Sequence, residues 1–188
     1  MMLKDQGPVL TLEPLVESIR DGISSSGWVL SGLQKTTSQE FDGRWEGEST
    51  RSAYLFFHRR DLPETLSVEA FVDETSKGLR ANLSLVVQGP SLGELGELPP
   101  ILRRIAAAVG DTLPDGYRTP LSLRVGLPDS EHPPERAEVQ LRVKLSVPSV
   151  AIETGTSAVS ALASAAVAAF EQLLERPEIA ELLPPVMD

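Results

Sequence analysis

His58 and His132 are the two side chains of this sequence whose ordinary titration range suits a general base at neutral pH, so a catalytic reading starts with them. A Ser-His-Asp system needs one of them beside an activated serine. The serine-elbow pattern G-x-S-x-G is absent, and Gly22-Ile23-Ser24-Ser25-Ser26-Gly27 has the wrong spacing and closes a helix. His58 ends an aromatic strand beside Arg59 and Arg60, the position of an edge residue in a charged rim. Asp129, Glu131, His132 and Glu135 crowd one segment with oxygen and imidazole donors, but Pro128, Pro133 and Pro134 match no known ligand spacing. That segment reads as a solvated acidic loop. Asp73 and Glu74 fall at a turn, and Glu94 and Glu97 precede a proline pair, so nothing sets two carboxylates across a cleft. Gly93-Glu94-Leu95-Gly96 is not a dinucleotide fingerprint, and no phosphate-loop pattern occurs. The chain has no cysteine, which removes thiolate nucleophiles, disulfides and Cys-based zinc sites together. The expectation is a protein that is not an enzyme and carries no metal or cofactor.

Charge argues further. The formal net charge is −10, and a phosphate polymer is repelled by such a chain unless its cations are segregated onto one face. The window Phe41–Asp61 holds Phe41, Trp45, Tyr54, Phe56 and Phe57 interleaved with Arg44, Arg51, Arg59 and Arg60. Aromatics and cations in alternation suit single-stranded nucleic acid, yet Asp42, Glu46, Glu48 and Asp61 bring the window close to neutrality. Nucleic acid is therefore not the expected partner, and a local patch is what survives. No uninterrupted apolar run reaches the ~20 residues that span a bilayer, and Met1–Val9 lacks an apolar signal core. No membrane association and a cytoplasmic location are expected.

The elements that must position these residues follow from periodicity. Residues 1–10 read as a flexible leader, residues 11–176 as a single domain, and residues 177–188 as a short C-terminal tail. Thr11 is placed to cap a helix whose apolar positions are Leu12, Leu15, Val16, Ile19 and Ile23, ended by Ser24–Gly27. The period then drops to two. Trp28–Thr36, Phe41–Gly47, Ser52–Arg59, Leu66–Asp73 and Leu79–Val87 read as strands, with Glu74–Gly78 as a hairpin turn. Ile101, Ile105, Ala108 and Val109 mark a middle helix stopped by Gly110. Two more strands, Leu121–Leu127 and Val139–Val147, are followed by a short extended piece near Val150–Ile152.

The last long helix runs from about Ser157 to Glu175. On a helical wheel Ser157, Ser160, Ser164 and Glu171 share a stripe opposite Val159, Leu162, Ala166, Phe170 and Leu173. Ala158, Ala161, Ala165 and Ala168 flank that apolar face, widening it to half the wheel, beyond the ~100° stripe of a helix with one packing partner. Small residues let another backbone come close. The fold class expected is α+β, an antiparallel β-sheet with helices on one face, in the order helix, three to five strands, helix, two strands, helix.

That order, in a small acidic chain, resembles the YbjN-like proteins and the class I type III secretion chaperones whose fold they share. The resemblance spans Thr11 to Glu175 and rests on topology and charge, so it transfers no site residue. It implies a homodimer without enzymatic activity that binds an extended segment of a client protein. The chaperone pattern has three strands before its middle helix, whereas five strand-like runs are read here. The functional expectation is a protein-binding adaptor or chaperone acting as a homodimer, with Ala158, Ala161, Ala165, Ala168, Trp45, Tyr54 and Phe56 as partner-binding candidates. The alternative is a carrier of a small apolar ligand held in a cavity between sheet and helix.

Overall fold

The computed structural model describes residues 10–37, 51–75, 77–88, 98–113, 121–125, 139–181 and 183. Helix α1, Leu12–Ser24, buries Leu12, Leu15, Val16, Ile19 and Ile23, the stripe its periodicity predicts. Gly27, at φ +86°, then turns the chain through a conformation that side chains rarely adopt. Strands β1 (Val29–Thr37), β2 (Arg51–His58), β3 (Leu66–Thr75) and β4 (Gly78–Gln88) follow. Helix α2 (Leu98–Thr112) precedes β5 (Ser122–Val125) and β6 (Val139–Ser146). Three helices close the described chain: α3 (Ser149–Thr154), α4 (Thr156–Leu174) and α5 (Pro177–Ala180).

The six strands form one sheet in the order β1-β2-β3-β4-β6-β5, with every neighbouring pair antiparallel. The fold is therefore α+β, as alternation predicts. Ala53, Leu55 and Phe57 on β2, Leu66, Val68, Ala70 and Val72 on β3, and Leu83, Leu85 and Val87 on β4 point to one side. Leu141, Val143 and Leu145 on β6 join them. There they merge with the buried residues of α1 and α4 into a single apolar cluster. Helices α2 and α5 pack beside α4, and Ile179 of α5 is fully buried in the same core. The segment after Glu175 thus begins as part of the packed structure.

Where α1 crosses α4 the two backbones nearly touch. A Cβ built on Gly22 would press on the Ser160 carbonyl oxygen and lie 2.8 Å from the Ala163 Cβ. Only glycine fits there. Polar bonds tie the rest of α1 down. The Leu12 N–H donates to Glu74 Oε2 on β3 at 2.7 Å, so a residue 62 positions away caps this helix, while the Thr11 side chain makes no capping bond. At the other end, the Trp28 indole, 1% exposed, donates to Glu171 Oε1 of α4 at 3.1 Å.

Four strands precede α2 among the described residues, within the three to five expected, and the run Phe41–Gly47 lies outside them. Two local expectations are corrected. Gly110 does not stop α2, which continues to Thr112. The piece near Val150–Ile152 is helical rather than extended: Pro148 starts a six-residue turn of helix, and Gly155 at φ +124° breaks it from α4. In the polar stripe of the last helix the Ser160 carbonyl lies under Gly22 and Glu171 accepts from the Trp28 indole, while Ser157 is exposed.

Gly22→Ala should lower the unfolding free energy by about 2 kcal/mol, because overpacking at this crossing outweighs the ~1 kcal/mol that alanine adds to helix propensity. Urea unfolding at unchanged m-value checks it. A stabilised variant would show that the two helices stand farther apart.

Candidate functional site

Two surfaces hold the candidate residues, on opposite sides of the sheet. The first is the sheet face turned away from the helices. Register places Tyr54 opposite Phe71 and Phe56 opposite Glu69 on this face. Tyr54 is 40% exposed and its ring meets Phe71 at 4.6 Å between centroids, tilted by 40°. Phe56 lies over Gly32, where a Cβ would sit 3.4 Å from its Cδ2. These aromatics occupy the β2–β3 half. The β4–β6–β5 half carries Arg80, Arg142, Lys144 and Arg124. Arg142 reaches across β4 to Glu69 at 2.7 Å, and Arg80 bonds Asp73 at 2.7 Å. Ser84 and Val86, on β4 between Glu69 and Arg142, are buried on this side. Trp45 lies outside the described residues.

The second surface is the outer side of α4. Ala161, Ala165 and Ala168 are exposed and Ala158 is half-buried, whereas Val159, Ala163, Ala166, Val167, Phe170 and Leu173 face the core. No charged residue occurs from Thr156 to Phe170. By length and composition α4 meets the requirement for crossing a membrane, with a mean hydropathy of 1.4, and 39% of that stretch is buried within the protein. Counting uninterrupted apolar residues misses this because serines punctuate the helix. The structure therefore keeps Tyr54 and Phe56 together, keeps the four alanines together, and sets the two groups apart.

Charged clusters occupy the sheet's rims. Arg51 bonds Glu74 through Nε and Nη2 at 3.0 and 2.9 Å, and Glu13 through Nη1 at 2.6 Å. This clasp holds the cap of α1. The Glu13 carboxyl is held below its ordinary value of 4.5 by its own backbone N–H, with Arg51 adding to the effect. Arg59 bonds Glu171 at 2.8 Å and Asp61 beside it, and its guanidinium lies 5.8 Å from the centre of the Trp28 ring. Its bond to Asp61 lowers that carboxyl's pKa from 3.8.

No family model, curated protein or solved structure matches the chain. Chemistry must therefore be read from these residues alone.

Sequence reasoning left His58 without a nucleophile, and the structure supplies one: Ser31, in the irregular register between Leu30 and Gly32, has its Oγ 2.7 Å from His58 Nδ1. The same oxygen lies 3.1 Å from the Phe56 carbonyl oxygen. The hydroxyl has one proton, given to the Phe56 carbonyl or to His58 Nδ1 according to the imidazole tautomer. Ser31 and His58 pin a strand bulge. Among the described residues no group of three or more His, Asp or Glu side chains is placed to hold a metal, and the Asp129–Glu135 segment lies outside them.

Because Glu13 and Asp61 titrate lower in the folded chain than when unfolded, their contribution to stability is complete above the ordinary carboxylate range. It is lost as the pH falls through the depressed values. Arg51→Met should reduce stability near neutrality and shrink the loss between about pH 7 and about pH 3, as read from urea midpoints. An equal acid loss in both proteins would show that Arg51 does not hold Glu13.

Proposed function

We propose that this protein is a non-enzymatic, protein-binding adaptor or chaperone that acts as a homodimer on a client protein. The observation that carries the reading is the outer face of α4. Over four turns it presents alanines and hydroxyls, with no charge, on a chain of net charge −10. A flat row of small residues suits the close approach of an identical helix across a twofold axis. The inner side of the same helix already works this way, with Ala163 and Ser160 against Gly22 of α1. Likeness in element order to the YbjN-like and type III secretion chaperone folds supports the same reading by analogy. A cytoplasmic site of action fits a chain with no cysteine.

Addition of a client strand to the sheet edge is the weaker route. Strand β1 pairs only with β2 among the described residues, but it carries the Ser31 bulge and an exposed Lys35, and β5 is only four residues long. Bulges, edge lysines and short edge strands are how sheets discourage strand addition.

A carrier of a small apolar ligand is the second reading. It draws on a cleft of about 960 Å³ between the start of α1, the β3–β4 turn, α3 and the start of α4. Leu10, Leu79 and Ile152 supply its apolar lining, and hydroxyls and charges such as Thr156, Ser157 and Glu153 supply the rest. That mixture suits an apolar cargo less well than a closed apolar cavity does.

Sedimentation velocity at roughly 10 µM should give the dimer mass, and Ala165→Arg should give the monomer with an unchanged far-UV spectrum. A wild-type monomer at that concentration would overturn the homodimer.

A further inference from the structure

We draw no further inference here: the strongest candidate, the cleft between the start of α1, the β3–β4 turn, α3 and the start of α4, rests on the N-terminus of α4 alone, with no unpartnered buried polar side chain among its described lining residues to say what it would hold.

Discussion

The approach of Gly22 to Ser160 and Ala163 is the constraint on which the arrangement depends. With no side chain at position 22, α1 and α4 lie together as one layer, and that layer is narrow enough for both helices to reach the same sheet face. Val159, Val167, Phe170 and Leu173 of α4 then bury beside Leu15, Ile19 and Ile23 of α1. Electrostatics fixes the ends of this layer. Glu74, anchored by Arg51, caps α1 from β3, and Glu171, anchored by Arg59, receives the Trp28 indole. Each carboxylate is met by an arginine and an N–H donor, so its bonds are charge-assisted.

The consequence is a slab with two dissimilar outer surfaces. One is the back of α4, small, uncharged and flat. The other is the side of the sheet turned away from α1 and α4, with Tyr54, Phe56 and Phe71 on one half and Arg80, Arg142 and Arg124 on the other. Among the described residues, the small-residue row and the aromatic–cationic array lie on those two surfaces. They lie on opposite sides of the sheet. The Ser31–His58 contact ties β1 to the end of β2, on the same side of the sheet as Tyr54 and Phe56.

Much of this was legible in the sequence because burial imposes periods. Val139, Leu141, Val143 and Leu145 alternate with polar residues, and β6 faces them inward as that alternation demands. Leu12 to Ile23 recur at helical spacing and bury on one side. What the sequence hides are contacts between distant segments. Thr11 looks like the cap of α1, but Glu74 is closer to the task because β3 ends beside it. The wheel of the last helix places Ser160 and Glu171 opposite the core and cannot know that Gly22 and Trp28 wait there. Val150–Ile152 reads as strand because Val150 and Ile152 are β-branched, and Pro148 starts a helix there instead. Tyr54 and Phe56 were singled out by composition. Their true neighbours, Phe71 and Gly32, come from β3 and β1, and only strand register brings them together.

A cysteine-free chain permits a direct test of the central claim, that the outer row of α4 meets its copy across a twofold axis. Single cysteines at positions 161, 165, 168 and 54 would be oxidised under native conditions and the products weighed. A disulfide needs Cα atoms roughly 4.4–6.8 Å apart, so it forms only where the two copies touch. The account predicts covalent dimers from at least one of Ala161→Cys, Ala165→Cys and Ala168→Cys, and none from Tyr54→Cys. Dimers from Tyr54→Cys alone would place the self-contact on the sheet face and contradict the assignment of the two surfaces.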